Sequence, residues 1–364
     1  MESSFPKREC FSKNGSSFLN EWQEKKRAIE QLRRAISGQI PWDELKNETV
    51  RWYGQQLGAT ATDTDEKIHQ IISKRLFDGR DRLTPEEIRQ VILLFGREET
   101  IRKLLVRNVI DCRARKNLDV RWDERCESAE NVIECLKLAI GFFGRHVGID
   151  GTTLEGLKAT SGSADYIAMR EGLVNLFIHQ DYGDPTTVAQ IEIMPDQTMF
   201  FNAGRSLVSN SALVDGGKSQ SRNPLISRAL RLIGFAEIAG SGLREVHRAW
   251  REAKRYPPAL ESNPEANTFT LILDWRELPV ITDEFWKKRL GVNLTPQESA
   301  ALLLSSGPSG TRDEEIASSQ GIHVSEAAEV CKALLRNALV VEKDNRIYIQ
   351  AHLKQLAEEA KTQM

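Results

Sequence analysis

Apolar residues recur at helical spacing through much of the chain, interrupted by short alternating stretches. Residues 1–20 carry no such pattern and read as a tail, whereas 20–36 form a charged helix with a narrow seam of Ile29, Leu32 and Ile36. A seam that narrow needs a partner surface. Residues 39–44 read as a turn into another helix, and Ile68, Ile71, Ile72 and Leu76 mark a helix over 64–77. Thr84 suits an N-cap and Pro85 a first helical position. The apolar run 91–95 either ends that helix or forms a buried strand. Partial alternation over 106–113 predicts a strand, and Val132, Leu136, Ile140 and Phe143 predict a strong helix over 127–146.

A polar loop around Ser161 leads into a helix over 169–180. Residues 187–194 and 198–202 alternate as strands, with Asp196-Gln197 as the hairpin turn. A Gly/Ser-rich loop over 203–221 precedes helices at 224–233 and 243–254 and a strand at 268–273. Antiparallel strands with segregated helices predict an α+β two-layer sandwich and not a doubly wound sheet. Residues 295–350 read as a separate unit of three helices, 296–304, 313–319 and 325–336, then two strands around Lys343–Asn345. That order is a winged helix-turn-helix pattern. The expected divisions are 1–80 (tail and helical region), 81–278 (the sandwich), 285–350 (winged helix) and 351–364 (C-terminal tail).

One helix breaks its own apolar pattern. Glu171, Asn175 and His179 stand four apart, so they share a face, while Leu173, Val174, Phe177 and Ile178 fill the other sides. Asp181 follows at its end. Polar groups on a buried helix are costly unless something satisfies them. A carboxylate and an amide at this spacing suit a magnesium nucleotide.

The 364 residues predict two or three domains, and 40% hydrophobic with 28% charged residues reads as globular. No run reaches the roughly 18 apolar residues of a membrane helix, and the N-terminus lacks a signal-peptide pattern, so the expected compartment is the cytoplasm. Cys10, Cys112, Cys126, Cys135 and Cys331 show no metal-ligand spacing, and their odd number argues against a disulfide framework. A net charge of −2 is not that of a protein that coats nucleic acid, although residues 97–116 hold seven Lys or Arg against three acids. No GxxxxGK[ST] pattern occurs, which argues against a helicase motor.

The run from Arg170 through Glu171, Asn175, His179 and Asp181 to Tyr182 resembles the hallmark of the RecG-related C-terminal ATP-binding domain. That domain belongs to the GHKL superfamily of gyrase, histidine kinase and MutL. Asn202-Ala203-Gly204, Ser221-Arg222-Asn223-Pro224 and Gly240-Ser241-Gly242-Leu243 follow in order, and with Leu94–Gly96 and Trp122-Asp123 the resemblance covers roughly 80–275. Such proteins usually carry a Schlafen/AlbA-like N-terminal domain. Residues 40–80 look like its tail end at most, which points to loss of that domain or to a separate subunit supplying it.

The resemblance implies bound ATP and Mg²⁺. Glu171 would orient or deprotonate the attacking water and Asn175 would ligate the metal. His179 and Asp181 would hold the helix end or shape the phosphate pocket. Asn202 and Gly204 stand where the superfamily has an Asp-x-Gly that reads adenine. Lys218 and Arg222 would contact phosphate from a lid over 205–221, and Gly240 and Gly242 would offer bare N–H groups at a helix start. The residues alone leave alternatives. Glu171 and Asn175 can bridge neighbouring elements, His179 can be a structural histidine, and Asn223-Pro224 can be only a helix N-terminus. Three functions therefore stay open. They are an ATP-binding regulator or effector in nucleic-acid transactions, with an antiphage setting by resemblance, a scaffold docking a nuclease-like or DNA-binding partner, and a winged-helix transcriptional regulator. Glu326 and Glu329 near the start of the third helix oppose DNA phosphate, and a homodimer stays open.

Overall fold

The computed structural model describes residues 38–117, 119, 121–147, 163–215, 220–236, 242–279 and 283–362. The predicted helix over 20–36, the loop around Ser161, Lys218 and Gly240 lie outside them. After a short 3-10 turn the chain forms α1 (Asn47–Gln56), α2 (Asp65–Leu76), α3 (Pro85–Phe95) and α4 (Glu98–Leu104). Next come β1 (Ile110–Ala114), β2 (Glu124–Ser128), α5 (Val132–Val147) and α6 (Ala164–His179). Then follow β3 (Ala189–Ile193), β4 (Gln197–Ala203), α7 (Asn210–Asp215), α8 (Pro224–Leu232), α9 (Gly242–Glu252), β5 (Ala259–Asn263) and β6 (Thr268–Asp274). The last part holds α10 (Asp283–Leu290), α11 (Pro296–Leu304), α12 (Asp313–Gln320), α13 (Val324–Arg336), the hairpin β7 (Val340–Lys343) and β8 (Arg346–Ile349), and α14 (Lys354–Thr362).

The fold is mixed α+β, with a six-stranded sheet in the order β2-β1-β3-β4-β6-β5. The expectation of antiparallel strands needs correction, because β1 and β3 run parallel, with Cys112 opposite Ile191. The intervening β2, α5 and α6 supply the long crossover that a parallel pair requires. Several elements escaped the sequence reading. Glu98 and Glu99 start α4, so the strand expected over 106–113 begins only at Ile110. β2 is a five-residue strand of charged and polar residues, and α7 sits inside the Gly/Ser-rich loop.

Local chemistry explains the helix ends. Thr84 and Glu87 form a capping box at α3, Thr84 N donating to Glu87 Oε2 at 2.8 Å, with Pro85 in the first turn. The apolar run 91–95 therefore ends that helix. Ser163 accepts from Tyr166 N at 3.3 Å to cap α6. α6 is buried on nearly every side, touching α5, α8, α9 and β4. Gly172 makes its approach to the sheet possible, since a Cβ there would lie 2.5 Å from Phe200 Cζ. Buried apolar residues gather in two clusters, one around α6 and the sheet and one among α10 to α14. Val214 of α7 packs against both.

Candidate functional site

The helical spacing puts Glu171, Asn175 and His179 along one cavity of about 130 Å³. Val174, Ile178, Leu207, Val208, Leu213 and Phe269 give it apolar walls, and Gly204 and Gly242 approach it with backbone. Glu171 is buried beside the equally buried Arg170, whose Nη2 donates to Glu171 Oε1 at 3.0 Å. Its carboxylate also lies against Gly242 at the start of α9, where any Cβ would overlap it. A side chain there would have to displace the carboxylate. Asn175 differs, because its Nδ2 is buried without a hydrogen-bond partner. Burial, reinforced by the Arg222 charge, pulls His179 down to about 4. Its imidazole is neutral at pH 7 and can meet a phosphate only by hydrogen bonding.

The remaining candidates hold the end of α6 in place. Asp181 Oδ1 accepts from Gly183 N at 2.9 Å and Oδ2 from Asn267 Nδ2 at 3.0 Å. Its backbone N–H donates to Ala203 O at 2.8 Å, tying the helix end to β4. Arg222 Nε donates to His179 O at 3.2 Å and Nη2 to Arg205 O at 3.1 Å, a strut between two loops. Gly204 has φ +109° and a Cβ there would stand 2.6 Å from His179 O, so only glycine lets β4 pass so close to α6. Asn202 is buried in β4 opposite Phe269 and donates to Ala203 O at 2.7 Å. It neighbours the cavity through Phe269 and does not line it, and neither Asp181 nor Arg222 lines it.

Asn223 corrects an expectation in detail. It stands at the N-cap of α8 without capping it. Its Nδ2 donates instead to Gln180 O at 2.8 Å and Ile178 O at 3.2 Å, closing the C-terminus of α6. The start of α8 is capped by Gln90 of α3, whose Oε1 accepts from Leu225 N at 2.9 Å. The basic stretch is largely paired. Arg102 bonds Glu98, Arg113 bonds the buried Asp111, and Arg115 forms an ion pair with Glu192. Burial opposes ionisation of Asp111, yet hydrogen bonds from Arg125 and Arg113 hold it below the usual carboxylate range. Arg107 is itself buried and donates to Asp184 O and Asp181 O.

Sequence reasoning missed Arg170 as the partner of Glu171, and the wall residues Ala212 and Leu213. The only signal for the wall was a short Ala-Leu-Val run within a loop rich in Gly and Ser. Among the described residues no group of three or more His, Cys, Asp or Glu could cage a metal ion. None of their helices is long and apolar enough to cross a membrane.

Residues 187–273 match the family model described as "Putative ATP-dependent DNA helicase recG C-terminal". That segment is a RecG C-terminal-like ATPase-family domain. The matched segment of this RecG C-terminal-like domain starts after α6, so Glu171, Asn175 and His179 lie just upstream of it. No curated protein matches the chain. A solved structure, the DIP2311 protein from Corynebacterium diphtheriae, is similar at 16% identity and TM-score 0.49, covering 91% of this chain and 58% of that one. The chain thus spans less than two thirds of that protein's length.

Proposed function

We propose that the cavity along α6 binds ATP and that the chain is a nucleotide-responsive regulator or effector subunit in nucleic-acid transactions. The Asn175 Nδ2, a donor buried without a hydrogen-bond partner in a cavity beside a RecG C-terminal-like domain, carries this reading. Mg²⁺ takes hard oxygen ligands and keeps several waters, so one amide oxygen plus phosphates suffices and no protein cage is needed. When bound, the ion would neutralise phosphate charge. Asn175 would hold it through its amide oxygen, Glu171 would orient a water with Arg170 fixing the carboxylate, and neutral His179 would donate to a phosphate oxygen. Such a site hydrolyses slowly and serves as a switch. The helix-helix-helix-hairpin unit would act as a winged helix that docks DNA or protein, with Glu326 and Glu329 favouring protein. A separate Schlafen/AlbA-like subunit and an antiphage setting rest on the resemblance alone.

One observation favours a second reading, a scaffold without ligand. The Arg170 pair and the contact with Gly242 satisfy Glu171 without any nucleotide. Thermal unfolding with and without Mg-ATP separates the two. A ligand at a hundredfold excess over its dissociation constant adds about 2.7 kcal/mol to the folded form. The expected result is a raised midpoint in the wild type and none in Asn175→Ala. An unchanged midpoint in both leaves the scaffold.

A further inference from the structure

The cavity and the C-terminal unit share two elements. α7 is the shorter link. Ala212 and Leu213 line the cavity, Val214 packs against both hydrophobic clusters, and Asp215 reaches the C-terminal unit. Asp215 Oδ1 accepts from Val324 N, the first residue of α13, at 3.2 Å. Its Oδ2 lies 3.1 Å from His323 Nε2. α9 is the longer link. Gly242 and Leu243 line the cavity at its start. Further along, His247 Nδ1 bonds Ser318 Oγ and Arg251 Nη1 donates to Ser318 O at 3.2 Å.

Two magnitudes decide what happens when the cavity fills. Sites for drug-sized ligands hold roughly 300–1,000 Å³. This one holds about 130 Å³, so a base and ribose seated fully inside it would press on its walls. The wall formed by α7 is six residues long, too short to persist without its tertiary contacts. Leu213 cannot retreat without carrying Asp215, two residues on. The seam beyond is also open, with a cleft of about 500 Å³ between α7, α9 and α12. Of the contacts that close it, the His247–Ser318 bond is buried, whereas the Asp215–His323 pair is partly exposed and water can replace it at low cost.

We propose that α7 is a clasp for which the cavity's occupant and the C-terminal unit compete. Nucleotide entry withdraws Asp215 from the first turn of α13 and frees the C-terminal unit. This rests on the nucleotide reading above, and reciprocity requires that undocking the unit tightens nucleotide binding by the same factor.

Hydrogen exchange on the full chain tests the clasp. Mg-ATP should slow exchange along α6 and speed it over 322–327 by roughly fivefold or more. Val324→Pro removes the donor that Asp215 holds. Proline is tolerated at a first helical position, and His323 already has the extended φ −71°, ψ 149° that a residue before proline needs. In this variant exchange over 212–215 should rise without nucleotide, and Mg-ATP should bind several-fold tighter. Asp215→Ala, which removes the acceptor from α7 and leaves the cap that His323 Nδ1 gives Ser325 N in place, should act in the same direction and guards against a folding defect. Slowed exchange in α6 with none gained over 322–327 would keep the nucleotide site and sink the clasp. If Mg-ATP protects nothing, the nucleotide reading fails. The competition for α7 then falls as well if both variants leave 212–215 unchanged, and its mechanical half stands if they speed exchange there.

Discussion

Among the histidines, His179 and His247 are the two whose ionisation the fold changes most. Burial pulls both down to about 4 from 6.5, with Arg222 and Arg251 adding to the shift. Above pH 6.5 neither contributes to the pH dependence, because both are neutral folded or unfolded. Between 6.5 and 4 the unfolded chain binds protons that the folded chain refuses. Stability is therefore lost as pH falls through that window, by at most about 1.4 kcal/mol per pH unit for each histidine. Denaturant unfolding at pH 7 and pH 5 should show a smaller loss in His179→Gln than in the wild type, since the carboxylates titrate in both proteins. An equal loss would mean that His179 is solvated in the folded chain. The i, i+4 ladder made the shared face of Glu171, Asn175 and His179 legible in the sequence. The burial that neutralises His179 was not, because it depends on residues such as Arg222, 43 positions away, that meet the end of α6 only in the folded chain.

At the scale of elements, two buried amides exchange the tasks that sequence position suggests. Asn223 precedes Pro224 in the arrangement of a helix start, yet its amide closes α6, while Gln90 caps α8 from 135 residues away. Both are buried. Gln90→Ala leaves the Leu225 N–H without an acceptor and should cost about 1–2 kcal/mol in urea unfolding. Asn223→Ala strips the last carbonyls of α6 of their donor, and should in addition reduce any stabilisation by Mg-ATP, since those carbonyls border His179. Equal ligand effects in the two variants would show that the end of α6 does not shape the cavity. Helices with their own caps, such as α3 with Thr84, Pro85 and Glu87, are readable locally. β2, β5 and α7 were not. Their polar residues carry no period, and the two strands are held by pairing with their neighbours, β2 with β1 and β5 with β6 across Leu260 and Leu271.

For the whole molecule, the two hydrophobic clusters set the expected unfolding behaviour. The larger holds Trp250 and the smaller holds Trp286, whose Nε1 donates to Ser299 Oγ at 2.7 Å. Between them run mostly polar contacts. Arg312 Nη1 donates to Leu260 O at 3.2 Å, and Arg346 lies 3.5 Å from Glu261. Exposed ion pairs and single hydrogen bonds each contribute only about 0.5–1.5 kcal/mol, whereas each core is closed by many apolar side chains. The seam is therefore weaker than either core, and calorimetry of the full chain should show two overlapping transitions. Arg312→Ala should move them apart by weakening the seam, leaving the backbone bond from Arg312 N to Glu315 in place. Mg-ATP should raise the transition of the cluster that contains α6. The clasp adds a sign to this expectation. Because nucleotide withdraws Asp215, the transition of the smaller cluster should fall or stay constant as the first one rises. A single cooperative transition, shifted as one by nucleotide, would show that Val214 and its neighbours weld the two cores into one unit.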